Sequence, residues 1–194
     1  MRTFIAVELS DLIKASLAQI QSHLKYAAAD VKWVEKNNIH LTLKFLGEIL
    51  EEKLWQVKST LEIIGMATAP FEISLKDVGA FPKIDYPRVI WVGLDKGAKE
   101  STDLAIKIDE ELSKIGFEKE TRPFAAHLTI GRVRSPKNKE ALKDKITSHK
   151  LHVASSSPHF SVGAVILFQS KLTPTGSIYT KLHEAKFTKV PVTS

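Results

Sequence analysis

The chain contains no cysteine. That absence excludes a disulfide framework, a thiolate nucleophile and a cysteine-ligated zinc ribbon. Long hydrophobic runs are missing as well. The longest uncharged apolar stretch, Val162 to Phe168, is far shorter than the roughly 18 residues of a membrane span. The opening Met-Arg-Thr-Phe-Ile-Ala-Val reaches an acid at Glu8 and lacks the apolar segment of a signal peptide, so a soluble cytoplasmic protein is expected. Methionine is scarce at 2, asparagine and glutamine together number 7, and 23 of the 28 basic residues are lysine, a skew that resembles a thermophile's composition. Neither a P-loop, a dinucleotide-binding glycine pattern nor a G-x-S-x-G is present. No Pro-, Gly- or Ser-rich linker divides the chain.

What is present is ordinary in bulk. At 194 residues and 21.6 kDa, the chain suits one domain or two small lobes sharing a core. Apolar residues at 43% and charged ones at 26% are globular values. The net charge of +6 is compatible with a polyanionic partner and is also small enough to serve solubility alone.

Hydrophobic periodicity predicts a strand over Thr3 to Leu9, then a helix capped by Ser10 or Asp11 with Ile13, Leu17, Ile20 and Leu24 on one face. A short strand is expected at Val31 to Val34, and a second from Ile39 to Leu46 after the Asn37-Asn38 turn, ended by Gly47. Leu50, Leu54, Val57, Leu61 and Ile64 mark a helix stopped by Gly65. Phe71 to Leu75 and Arg88 to Leu94 read as strands joined by a loop holding Phe81-Pro82 and Tyr86-Pro87. A third helix carries Leu104, Ile108, Leu112 and Ile115 and stops at Gly116. Ala126 to Ile130 is a strand, and Ser135-Pro136 opens a basic helix reaching Thr147. Strands at Phe160 to Val162, Val165 to Phe168 and Ser177 to Leu182 finish the chain. Helices and strands are interspersed without strict βαβ order, which predicts an α+β fold with mainly antiparallel sheets.

One internal echo stands out. Ile39-His40-Leu41-Thr42-Leu43 recurs as Ala126-His127-Leu128-Thr129-Ile130, 87 residues on, and both copies precede a glycine. From the composition, H-L-T should occur by chance roughly 0.05 times in such a chain, so two copies are far outside expectation. In a strand, residues i and i+2 share a face. His40, Thr42 and Lys44 would therefore face outward or into a groove while Ile39, Leu41 and Leu43 face the core, and His127 and Thr129 would do likewise. Histidine can act as acid or base near neutrality. In-line displacement at phosphorus needs a base on one side and an acid on the other. Two strands related by a pseudo-two-fold would supply these from opposite walls of one groove, with each Thr hydroxyl donating to a non-bridging phosphoryl oxygen. No metal or other cofactor is needed for this, and none is expected.

The paired motifs resemble those of the 2H phosphoesterases, defined by two H-x-[ST]-hydrophobic segments. More closely, the chain is similar to their RNA 2′,3′-cyclic phosphodiesterase branch, also called 2′-5′ RNA ligases. The similarity lies in Arg2-Thr3-Phe4-Ile5-Ala6-Val7, His40 to Gly47, His127 to Arg132, and Leu167 to Leu172 followed by Gly176 and Tyr179. It implies one unit over residues 1–194, bilobal, with two pseudo-symmetric lobes of mainly antiparallel sheet and flanking helices around a central cleft. It also implies action on RNA with a 2′,3′-cyclic phosphate end, hydrolysing it to a 2′-phosphate. A related alternative is cleavage of 2′-5′ oligonucleotides, with 2′-5′ RNA ligation as its reverse, and a monomer is expected. By that resemblance His127 is the general base and His40 the general acid. Phe45 and Arg132, each five residues after its histidine, are placed against the terminal nucleotide and its phosphate beside Thr42 and Thr129. Strict alternation, however, would turn Arg132 away from His127 unless Gly131 permits a bulge or the strand ends there.

Other candidates carry less. Seven Lys/Arg between Arg132 and His152 could form a phosphate-backbone patch or a plain solvated helix. Trp33, Phe81, Tyr86 and Trp91 could stack on bases, though Trp91 reads better as core. His149, His152 and His159 lack the ligand spacing of a metal site. His23 and His183 read as ordinary surface or edge residues. The rival to an enzyme is a non-catalytic RNA-binding module, which would not call for two proton carriers.

Overall fold

Both faces of the first strand, β1 (Arg2–Glu8), are buried in the computed structural model, which describes residues 1–149, 158–174 and 176–188. Ser10 caps helix α1 (Asp11–Lys25), accepting a hydrogen bond from the Ile13 amide at 3.3 Å and leaving Ile13, Leu17, Ile20 and Leu24 inside. Strand β2 (Val31–Trp33), a 3-10 turn at Lys36–Asn38, β3 (His40–Glu48) and α2 (Glu51–Met66) follow. Then come β4 (Phe71–Ile73), the hairpin β5 (Leu75–Lys83) and β6 (Tyr86–Leu94), α3 (Ala98–Lys114), β7 (His127–Val133) and α4 (Lys139–His149). Strands β8 (Phe160–Val162), β9 (Ala164–Leu172) and β10 (Ser177–Lys186) complete the described chain.

Two antiparallel four-stranded sheets form two lobes, in orders β10-β9-β1-β3 and β2-β7-β6-β5, and β4 pairs with β8 in a two-stranded ribbon. The lobes do not correspond to the two halves of the chain, because helices are exchanged. Helix α1 follows β1 of the first sheet yet packs on β7 of the second, and Gln21 Nε2 donates to the carbonyls of Val34 and Ile130, both at 2.8 Å. Helix α3 leaves β6 of the second sheet and packs on β3 of the first. One continuous apolar core runs under both sheets, from Ile5, Leu41 and Leu167 to Ile90, Leu128 and Ile146. No helix among the described residues is long and apolar enough to cross a membrane.

Several expectations are corrected. The stretch from Phe81 to Pro87 is the end of a hairpin rather than a loop. Pro82 and Pro87 stand opposite each other near its tip, on an edge strand and beyond the reach of β7, where a missing amide hydrogen costs no ladder bond. Gly47 does not end β3 but lies within it, paired with Thr3. Gly65 does not stop α2. A Cβ there would sit 2.6 Å from the Lys186 carbonyl oxygen, so the glycine lets helix and strand touch. Helix α4 begins three residues late because Asn138, at φ +53°, breaks the helical backbone before it.

Candidate active site

Each histidine motif lies on a strand with one residue too many. On β3, Thr42 faces Ala6 and Lys44 faces Ile5, leaving Leu43 unopposed; on β7, Thr129 faces Trp91 and Gly131 faces Ile90, leaving Ile130 unopposed. These are β-bulges at the same position of both copies, and a bulge inverts the alternation beyond it. Phe4, Ala6 and Glu8 on one face of β1 therefore stand opposite Phe45, Thr42 and His40. Val89, Trp91 and Gly93 on one face of β6 stand opposite Arg132, Thr129 and His127. Both catalytic candidates and both residues five positions on thus share a face. Arg132 reaches the His127 side by a bulge at Ile130 rather than Gly131.

The same inversion overturns the expected placement of Lys44. It is turned inward and nearly sealed, its Nζ 2.5 Å from Asp109 Oδ1 and 2.8 Å from the Glu118 carbonyl. Burial raises the Asp109 carboxyl, but Lys44 and the Glu120 amide outweigh it and hold the carboxyl below its usual range. This pair ties β3 to α3.

Strand β3 is the edge of its sheet and runs beside β7. Leu41 and Leu43 of one, with Leu128 and Ile130 of the other, enter the common core. The two histidine faces consequently open on one side of the lobe junction. Both imidazoles are fixed alike. His40 Nδ1 lies 2.8 Å from the Asn38 carbonyl and His127 Nδ1 lies 2.6 Å from the Ala125 carbonyl, each two residues back. A carbonyl only accepts, so each Nδ1 carries hydrogen and each Nε2 is left for the cleft. The hydroxyls of Thr42 and Thr129 make no hydrogen bond among the described residues.

The settings of the two rings differ. His40 stacks on Phe4 at 4.7 Å between ring centres and meets the edge of Tyr179 at 5.2 Å, with Phe168 behind. Burial in this aromatic box, with help from Lys14, lowers its pKa from 6.5 to about 4 against the opposing pull of the Asn38 carbonyl. Among the described residues His127 meets one ring, the edge of Phe81 at 5.0 Å, and Phe81 leans on Trp91 at 5.2 Å. Trp91 in turn lies over Gly79, where a Cβ would come within 2.3 Å of the indole. Gly79→Ala should therefore displace Trp91 and with it Phe81. We expect a loss of about 1–3 kcal/mol in denaturant unfolding and a fall in turnover larger than in substrate affinity.

The remaining candidates are separated from this cleft. Leu142 and Ile146 bury α4 in the core behind the second sheet, so its lysines lie on the far side from His127. Lys143 is paired with Asp85 at 2.5 Å, and Tyr86 at the hairpin tip lies near Arg88 and Lys139. Trp33 packs against the core under Lys25. His149 neighbours His23 at 5.0 Å, His159 lies beside Glu72 and His183 beside Glu62, while His152 is outside the described residues. Among the described residues no three His, Asp or Glu gather as a metal site. The box around His40 was not legible beforehand, because Phe4, Phe168 and Tyr179 meet only through strand pairing.

Comparisons with known proteins find relatives over nearly the whole chain. The family model described as LigT like Phosphoesterase matches twice, at residues 7–91 and 92–179. A Methanocaldococcus jannaschii protein named RNA 2′,3′-cyclic phosphodiesterase is 39% identical over 184 residues, 95% of this chain and 99% of its own. One of the same name from Archaeoglobus fulgidus is 41% identical over 182 residues, 94% of this chain and 98% of its own. A crystal structure of a Thermus thermophilus protein superposes with a TM-score of 0.79 at 26% identity, covering 96% of this chain and 98% of that one.

Proposed function

This chain belongs to the LigT-like phosphoesterases of the 2H phosphoesterase superfamily, and on that premise we propose that it hydrolyses the 2′,3′-cyclic phosphate at an RNA end to a 2′-phosphate. The observation that carries this reading is the matched fixing of two imidazoles, each Nδ1 on a carbonyl and each Nε2 free for the cleft. Water attacks phosphorus as the 3′ oxygen departs on the opposite side. His127 Nε2 takes the water's proton, and His40 Nε2 gives one to the 3′ oxygen. Thr42, Thr129 and Arg132 hold the non-bridging oxygens as their charge grows. Phe45, 61% exposed, offers its ring to the terminal base. The whole chain serves as one bilobal monomeric unit. With a 5′-hydroxyl in place of water, the same proton transfers would release the 3′ oxygen and join the cyclic end through a 2′-5′ linkage, and their reversal would cleave such a linkage back to a cyclic end.

The substrate sets the polarity of this pair. In the protein alone burial keeps His40 unprotonated at neutral pH, since its pKa lies at about 4. A phosphate anion beside the ring favours the charged form and raises that value, arming His40 as the acid. The His40 ring signals in an NMR titration should accordingly turn over near pH 4 in the free protein and move upward with a bound nucleoside 2′-monophosphate. An unmoved midpoint would transfer the acid role to His127.

The direct test is incubation with an RNA carrying a 2′,3′-cyclic phosphate in EDTA, followed by location of the product phosphate. A 2′-phosphate formed at an undiminished rate is expected, because the charge-stabilising groups are hydroxyls and cations. A 3′-phosphate, or binding without turnover, would overturn the reading, the latter in favour of an RNA-binding module.

A further inference from the structure

Lys32 on β2 stands directly opposite Arg132 on β7. Directly opposed residues of an antiparallel pair share a face, with Cβ atoms about 5 Å apart. Lys32 therefore lies on the face that carries His127, Thr129 and Arg132, one strand further out. Both cations are exposed, and neither has an acidic partner among the described residues. Like charges placed directly opposite destabilise a sheet. Some lysines elsewhere sit against acids, as in Lys44 with Asp109, Lys99 with Asp103 and Lys143 with Asp85, whereas here two cations face each other. An uncompensated pair at the cleft is accounted for if an anion comes to lie across it.

The two lobes differ at this point. Phe45 holds the position in the first lobe that Arg132 holds in the second, but β3 is the edge of its sheet, with no further strand hydrogen-bonded to it. Strand β7 is flanked by β2, so only the second lobe extends the cleft face by another residue. The polarity this gives the cleft is aromatic at one side and doubly cationic at the other, which matches a terminal base on one side and a continuing phosphate backbone on the other.

We propose that Lys32, beside Arg132, holds the phosphodiester immediately 5′ of the terminal nucleotide, making an RNA strand rather than a free nucleoside cyclic phosphate the preferred substrate. This inference rests on the phosphodiesterase reading above. A nucleoside 2′,3′-cyclic phosphate ends before Lys32, whereas a tetranucleotide with the same terminus reaches it.

Steady-state kinetics on those two substrates test the idea. The wild type should show the lower KM for the tetranucleotide. Lys32→Ala should raise that KM about tenfold, the scale of a lost charge-assisted hydrogen bond, with kcat unchanged and the mononucleotide unaffected. Lys32→Arg should restore it, and the slope of log affinity against log salt should fall by about 1 in Lys32→Ala. Equal wild-type efficiency on both substrates, or equal loss on both in Lys32→Ala, overturns the proposal. If the wild type turns over neither substrate, the phosphodiesterase reading itself has failed. Equilibrium binding of a tetranucleotide 2′-phosphate then decides the Lys32 site: weaker binding by Lys32→Ala upholds it and unchanged binding ends it.

Discussion

Alanine at His127 or at His40 should each lower hydrolysis of a 2′,3′-cyclic end by about 10²–10⁴-fold, the usual contribution of positioned acid–base groups. Removing the base leaves water unactivated, and removing the acid leaves the 3′ oxygen to depart as an alkoxide. The double variant should lose far less than the product of the two, since groups acting in one concerted transfer are not additive. RNA affinity should survive in all three, because Arg132, Lys32 and Phe45 supply the contacts. The pH–rate profile of the wild type should be bell-shaped, its two apparent values belonging to the pair. Circular dichroism has to accompany these assays, as His40 fills a box made by Phe4, Phe168 and Tyr179. His40→Gln keeps much of that volume and should be equally inactive. A folded single variant with near-full hydrolysis would refute the paired-histidine mechanism.

The largest stability effect is expected at Lys44 rather than at either histidine. Lys44→Met keeps the aliphatic stem but strands Asp109, whose side chain is only 18% exposed, and the Glu118 carbonyl. Breaking a buried ion pair from one side costs about 3–5 kcal/mol, and the partial exposure of Asp109 brings the expectation to about 3. For a chain of this size that corresponds to a fall in Tm of about 6–12 °C. The double variant Lys44→Met/Asp109→Leu should recover most of it, because no buried charge is then left unpaired and Glu120, the other carboxylate beside Lys44, is exposed. Thermal scans of the three variants check this. A single variant within 1 kcal/mol of wild type would show that water reaches Asp109 freely.

Lys44 also illustrates how far a sequence can be read. Composition excluded whole classes of chemistry, and periodicity placed α1, α3 and the motif strands close to their observed bounds. The repeated H-L-T was legible because it is a local pattern whose improbability can be counted. The two bulges were not. Whether a strand carries an extra residue depends on what its neighbour offers opposite each position, so Arg132 was placed on the wrong face by alternation and Lys44 on the open one. Gly65 and the Phe81 to Pro87 hairpin were misread for a related reason. A glycine or proline signals a break only when nothing gives it another use. For Gly65 that use lies in Lys186, distant along the chain, and for Pro82 in the place of its own strand at a sheet edge.

By itself, then, the sequence determined the class of fold, the pair of histidines and the lack of any thiol. These follow from residue identity and short-range spacing, which survive whatever the chain does next. The tertiary structure alone decided which side chains meet. It sent α1 and α3 each to the other lobe and enclosed His40 in aromatic rings while leaving His127 a single ring edge. It also set Lys32 against Arg132. Each of those outcomes depends on contacts between residues far apart in the chain, where burial and charge are properties of neighbours and not of the residue itself.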